Sequence, residues 1–346
     1  MATWQLDPAT THLNHGSFGA TPVEVLARQA ELRQQLESNP VDFFQRRYQP
    51  LLEISRAALA AFINADPDGL VFVPNATYGV NSVLRSLEPR LRTGCEIVIT
   101  THTYNACRNA AAETARRVGG TLVVADIPFP IASPSQASAA VLDAVTPSTA
   151  LVLLDHVTSA TGLVLPVAEI VADLEPDVTV LVDGAHAPGM IEVDITTLGA
   201  SFYAANCHKW VCSPKGAAFL WVDEYHRPTT HAAAISHGYN GGWPASRSDF
   251  HARFDWTGTD DPTARLCVDT ALRVMDQHRH GGWFGIRASN HELVLTARDL
   301  IADALGVEAP APDSMIGSIA ALTLPESLAA GMTAFDVVEW LHHECS

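Results

Sequence analysis

Only two side chains in this sequence carry a primary amine: Lys209, in Asn206-Cys207-His208-Lys209-Trp210, and Lys215, in Pro214-Lys215-Gly216. An amine held away from water loses basicity and becomes a nucleophile toward an aldehyde or a proton acceptor. Chemistry of that kind therefore has two candidates, because the other 19 of the 21 basic residues are arginines. A carboxylate with a telling position is Asp183, which begins Asp183-Gly184-Ala185-His186 at the end of an apolar run, 178–182. The third feature is Pro74-Asn75-Ala76-Thr77, which follows the apolar run 70–73 and opens a helical pattern. The free N–H groups and positive dipole end of such a start suit a phosphate.

These residues need a frame that brings them together. Short apolar runs rich in β-branched residues recur at 70–73, 96–100, 121–125, 150–154, 178–182, 201–205 and 216–222, which predicts seven strands. Helical spacing separates several of them: Val80, Val83, Leu84 and Leu87 share one face, and Ala111, Ala115 and Val118 do so before a Gly119-Gly120 stop. Strands alternating with helices imply a mostly parallel α/β sheet covered on both faces. In such sheets ligands bind beyond the carboxyl ends of the strands, so phosphate, carboxylate and lysine are expected along one edge. From 223 to 261 the alternation stops in a segment rich in His, Gly, Trp and Arg. Helical stretches at 263–277 and 282–305, a strand-like 316–324 and a helix at 333–343 then predict a smaller α+β unit.

The bulk properties narrow the function. A chain of 346 residues with 47% hydrophobic and 17% charged residues buries a large core and excludes general disorder. A net charge of -17 opposes binding to nucleic acid or to an anionic membrane. No apolar run reaches the ~20 residues of a membrane span, and the first residues lack the features of a leader, so a cytoplasmic address is expected. The six cysteines form no CxxC pair, which predicts reduced thiols rather than disulfides or zinc. His342-His343-Glu344-Cys345 is a poor metal tract, because adjacent ligands on a helix point apart. No GxGxxG follows an early strand, against a nicotinamide dehydrogenase.

Four segments in order carry a family resemblance. They are Leu13-Asn14-His15-Gly16-Ser17-Phe18-Gly19, Asp183-Gly184-Ala185-His186-Ala187-Pro188-Gly189, Asn206-Cys207-His208-Lys209-Trp210 with Pro214-Lys215-Gly216, and Trp256-Thr257-Gly258-Thr259-Asp260. Together they resemble the pyridoxal-phosphate enzymes of the class V aminotransferase group, within it the isopenicillin N epimerase-like members, a group that includes hercynylcysteine sulfoxide lyase. The resemblance spans nearly the whole chain. It implies fold-type I: a large domain (15–262) with a mainly parallel seven-stranded sheet, and a small α+β domain (1–14 and 263–346). Family members continue past the last helix with a strand and a substrate-gripping arginine, so the resemblance also implies a small domain incomplete at Ser346.

Carried over by position, the resemblance makes Lys209 the Schiff-base lysine and the base at the substrate α-carbon. Asp183 would hold the pyridine nitrogen protonated, and His186 would contact the ring or its phenolic oxygen. Ala76, Thr77, Asn206 and His208 are the phosphate positions, although Thr77 also reads as a plain helix cap. His102, after the second strand, matches the residue that stacks on the ring, with Tyr104 as the alternative. Ser159 stands where desulfurases have an asparagine near the phenolic oxygen, or is a loop hydroxyl. Gly258 and Thr259 would reach the phosphate of a neighbouring subunit, which implies a homodimer. Arg46, Arg47, Arg247 and Arg253 are substitute ligands for the substrate carboxylate.

The expected activity is bond cleavage at the α- or β-carbon of an amino-acid-derived small molecule. A carbon–sulfur lyase of the hercynylcysteine sulfoxide type leads, with Tyr239, Trp243, Asp249 and Trp256 as a cage for a trimethylammonium group. An epimerase or aminotransferase, a cysteine desulfurase, and an inactive cofactor-binding homologue are the alternatives.

Overall fold

All seven predicted runs form strands, with ends displaced by at most two residues, in a computed structural model that describes residues 3–240, 247–329 and 331–345. They are β1 (Leu70–Val73), β2 (Glu96–Thr100), β3 (Thr121–Ala125), β4 (Thr149–Asp155), β5 (Thr179–Asp183), β6 (Phe202–Asn206) and β7 (Ala218–Val222). The strands make one sheet in the order β1-β7-β6-β5-β4-β2-β3. Only β7 runs against its neighbours; the remaining pairings are parallel. This is the expected mainly parallel α/β sheet.

Helices cover both faces: α1 (Val23–Ser38), α2 (Tyr48–Phe62), α3 (Ala76–Leu87), α4 (Asn105–Val118), α5 (Pro134–Ala144), α6 (Val167–Asp173), α7 (Asp249–Asp255), α8 (Val268–Asp276), α9 (Gly282–Leu305) and α10 (Ala334–Cys345). Because side chains alternate along a strand, the sheet feeds two cores. Val71, Ile97, Leu151, Leu153, Leu181 and Ala204 pack under α3 and α4. Val98, Val152, Leu154, Val180, Val182 and Tyr203 pack on the other side against α1, α2, α5 and α6. The strands are apolar on both faces for this reason, which is why they read as unbroken runs. Helix α4 stops where Gly119 takes a left-handed φ of 68°, as the glycine pair predicted.

The excursion 223–261 is structured in its described parts, 223–240 and 247–261. It contains a 3-10 turn (His237–Asn240) and α7, which packs against β1. Arg253 donates to the carbonyls of Pro228 and Thr230, at 2.9 and 3.0 Å. Trp243 lies outside the described residues. Within 263–277 a 3-10 segment (Pro262–Cys267) precedes α8.

The strand expected at 316–324 is absent. Only Ile316 pairs, as a single bridge to Leu163, and the rest is irregular. A strand requires a hydrogen-bonding neighbour along its length, and this segment instead turns Ser318, Ile319 and Ala320 toward the cavity described below. Among the described residues, no group of three or more His, Cys, Asp or Glu is placed to hold a metal. No described helix is long and apolar enough to cross a membrane, and five of the cysteines are free and buried.

Candidate active site

A cavity of about 830 Å³ opens at the carboxyl ends of β1, β4, β5 and β6. It lies at the edge where the chain passes from strand to helix or turn. Nine of the expected site residues line it: Ala76, Thr77, Tyr104, Ser159, Asp183, His186, Asn206, His208 and Lys209.

The turn after β6 presents the amine. Cys212 N–H donates to the Lys209 carbonyl (3.1 Å), and Cys212 itself takes a left-handed φ of 62°, which bends the chain back on itself. Lys209 Nζ lies 3.1 Å from His186 Nε2. Burial holds the lysine below its ordinary pKa, partly offset by the negative charge of Asp183. Burial, with the lysine charge as a smaller cause, lowers His186 to about 3, so its imidazole is neutral. Lys215 is exposed and does not line the cavity.

Asp183 ends β5 and is buried. Its carboxylate accepts the Ala185 N–H at 3.0 Å and the Cys107 thiol, from α4, at 3.0 Å. Burial raises its pKa, against the pull of those two donors and Lys209. Asp183 also drives the Cys107 thiol upward, after burial. The helix start is built by Asn75, whose side chain accepts the Tyr78 N–H (2.8 Å); Asn75, not Thr77, is therefore the cap. Asn206 Oδ1 accepts the Ala76 N–H (2.9 Å), which joins the end of β6 to the start of α3. His208 Nδ1 donates to the Ala217 carbonyl (3.0 Å), which leaves Nε2 as the ring's free nitrogen.

Three expected residues are not in this cavity. His102 is turned aside: Nε2 donates to the Ile127 carbonyl (3.1 Å) and Nδ1 accepts from Thr161 (2.9 Å). Of the two residues expected to stack on the ring, Tyr104 is the one that lines the cavity. Gly258 and Thr259 lie away from it, with Thr259 exposed and open space beside Gly258.

The other candidates are engaged elsewhere. Arg46 pairs with Asp42, Arg47 with Gln35, and Arg247 with Asp68 and Glu53; no arginine lines the cavity among the described residues. Tyr239 packs on His231 and Trp256 on Phe44, while Asp249 starts α7; none of the three lines the cavity.

Sequence reasoning missed Asp155, Cys107, Trp210 and Ser318. Asp155 ends β4 as Asp183 ends β5, so the search for polar residues after apolar runs would have found it. Four buried polar atoms without a hydrogen-bond partner belong to residues on this cavity: Asp155 Oδ2, His186 Nδ1, Trp210 Nε1 and Ser318 Oγ. Unpaired buried groups cost free energy, so their concentration here marks a ligand site.

Residues 16–260 match the family Aminotransferase class-V. The chain belongs to the class V aminotransferases. It is 32% identical to a putative L-cysteine desulfhydrase 1 of Oryza sativa subsp. japonica over 338 residues, 93% of this chain and 68% of the relative. It is 35% identical to an isopenicillin N epimerase of Streptomyces clavuligerus over 332 residues, 92% and 82% of the two chains. Among solved structures it is similar to the cystine C-S lyase C-DES in complex with its product cysteine persulfide. The TM-score is 0.72 at 25% identity, covering 86% of this chain and 79% of that one.

Class V aminotransferases are pyridoxal-phosphate enzymes, and this one has a donor set that fits the cofactor. The partly desolvated amine of Lys209 would suit the aldehyde, the buried carboxylate of Asp183 the ring nitrogen, and the N-terminus of the twelve-residue helix α3 the phosphate.

Proposed function

We propose that this class V aminotransferase cleaves the carbon–sulfur bond of a cysteine-derived amino acid. The observation that carries the reading is the single amine–imidazole contact in the cavity, Lys209 Nζ to His186 Nε2. Bound pyridoxal phosphate supplies an electron sink for the pair left when the α-proton departs. Lys209, less basic than an exposed lysine, takes that proton at Nζ. His186 stays neutral and orients Nζ through Nε2. Asp183 would keep the ring nitrogen protonated, and the N-terminus of α3 with Thr77 and His208 would hold the phosphate. In the net reaction the carbon–sulfur bonding pair leaves with sulfur, and water converts the three-carbon remainder to pyruvate and ammonia.

Proton removal and return from one side suits elimination, since inversion needs delivery on the opposite face. The names of a desulfhydrase relative and a C-S lyase neighbour support the same reading. The 35% identity to an isopenicillin N epimerase favours a second one, epimerisation at the α-carbon. Hercynylcysteine sulfoxide is a further substrate to assay, although Tyr239, Asp249 and Trp256, three of the residues meant to hold its trimethylammonium group, do not line this cavity. The assay is pyruvate release from L-cysteine, cystine and cysteine sulfoxides, run in deuterated water. Deuterium entering the α-carbon of recovered substrate without pyruvate would establish the epimerase instead.

We read 15–262 as the cofactor-binding unit, with 1–14 and 263–346 as the smaller one. The exposure of Thr259, beside a Gly258 with open space next to it, supports a homodimer in which each copy completes the other's phosphate site.

A further inference from the structure

Asp155 and Asp183 are register partners at the ends of adjacent parallel strands. Residues in register on parallel strands point to the same face, here the α4 face, from which Cys107 reaches Asp183. Both carboxyls are buried, with Asp155 2% and Asp183 3% exposed. Their bonding differs. Asp183 accepts two donors and feels the Lys209 charge, whereas Asp155 has only the Tyr104 N–H (3.4 Å from Oδ1), the Thr103 hydroxyl and its own backbone N–H to lower its pKa, and its Oδ2 lies outside hydrogen-bond geometry of any partner.

The groups facing Asp155 can be named element by element: Asp183 from β5, Cys107 from α4, and Thr103 and Tyr104 from the segment before α4. None is a cation. Two adjacent carboxylates in a low-dielectric site cannot both stay ionised when only one cation is at hand. Asp183 has the stronger claim to the charge, because it has the donors and the lysine. Burial, then the neighbouring Asp183, raises Asp155 well above the usual carboxylate range.

We propose that Asp155 is a neutral, protonated carboxyl whose O–H is directed at the Asp183 carboxylate, making it a positioning residue for the group that holds the cofactor ring nitrogen. The arrangement leaves one negative charge at that edge and gives Asp155 Oδ2 the partner it otherwise lacks. Asparagine reproduces both the neutrality and the donated hydrogen bond; alanine reproduces only the neutrality. The inference rests on pyridoxal-phosphate binding for its spectroscopic part and stands apart from it in its infrared part.

Infrared difference spectra of wild type against Asp155→Asn, at neutral pH, test the proton directly with and without added pyridoxal phosphate. A protonated-carboxyl C=O band present in wild type and lost in Asp155→Asn is the expected result; its absence overturns the proposal. The second measurement is the pH titration of the visible band of the lysine-bound cofactor. Asp155→Asn is expected to leave its midpoint within about half a pH unit of wild type, whereas removing a true charge beside Asp183 would move it by roughly one unit or more, which would overturn the proposal. Asp155→Ala is expected to shift and broaden the titration, and the asparagine variant to restore it. A protein that shows the infrared band yet takes up no cofactor would refute the cofactor reading while leaving the protonated Asp155 in place.

Discussion

The amine of Lys209 and the imidazole of His186 stand 3.1 Å apart, both drawn from turns that follow strands at one edge of the sheet. The two come from neighbouring strands, β5 and β6, whose pairing Asp183↔Ala204 sets the spacing. Burial lowers both pKa values, so the contact is between a weakly basic amine and a neutral ring.

Lys209→Ala should abolish covalent attachment of pyridoxal phosphate and reduce turnover by at least the ~10²–10⁴-fold that a positioned base contributes. Borohydride reduction followed by peptide mass spectrometry should place the pyridoxyl group on Lys209 in wild type. Finding it on Lys215 would refute the assignment.

Gly19 passes so close to the His208–Lys209 backbone that a Cβ would overlap both carbonyl oxygens and lie 2.9 Å from the Lys209 Cα. Backbone atoms cannot swing aside as a flexible side chain does. Gly19→Ala should displace the lysine and cost about 10²-fold in kcat/KM, the order of loss from an ångström of misplacement. Unchanged kinetics and cofactor affinity would contradict the packing.

Arg56 is fully buried and donates to both Asp255 oxygens (2.9 and 3.0 Å) and to the Leu70 carbonyl (2.5 Å), fastening α2 to α7 and β1. Arg56→Met leaves Asp255 buried without its cation. A loss of about 3–5 kcal/mol in urea unfolding is expected, and the double variant Arg56→Met/Asp255→Leu should recover part of it.

A pH effect on stability follows from the raised pKa of Asp155. The native state keeps a proton that the unfolded chain releases above its ordinary value of 3.8. The associated stabilisation is complete below that pH and is lost as pH rises toward the folded-state value. Asp155→Asn has no such dependence. Its stability relative to wild type should therefore increase as pH rises above about 4, by up to ~1.4 kcal/mol per pH unit. A difference that is flat with pH would show that Asp155 ionises normally.

If two copies share each phosphate site, Thr259→Val should weaken cofactor affinity about tenfold, the value of one hydrogen bond to a charged group. Sedimentation at micromolar concentration should show a dimer of the cofactor-loaded protein. A monomer with full cofactor affinity would exclude the shared site.

Strand positions, the helix stop at Gly119 and the placement of Lys209, Asp183 and Asn206 at strand ends were legible in the sequence, because burial on both faces writes continuous apolar runs and the polar residues that end them stand out. The family motifs were legible for the same reason: they are local. What the sequence did not determine were relationships between elements. That Asp155 shares a face and a register with Asp183 depends on β4 and β5 being neighbours. That Cys107 donates to Asp183 depends on how α4 lies on the sheet. The turning of His102 toward Ile127 and Thr161, which leaves Tyr104 on the cavity, depends on hydrogen bonds made 25 and 59 residues away along the chain. The strand expected at 316–324 failed on the same ground, since an alternating apolar segment becomes a strand only where a neighbour accepts its backbone hydrogen bonds. Local propensity is carried by each residue, while partner choice is carried by the packed sheet, and only the second decides which charged groups face one another.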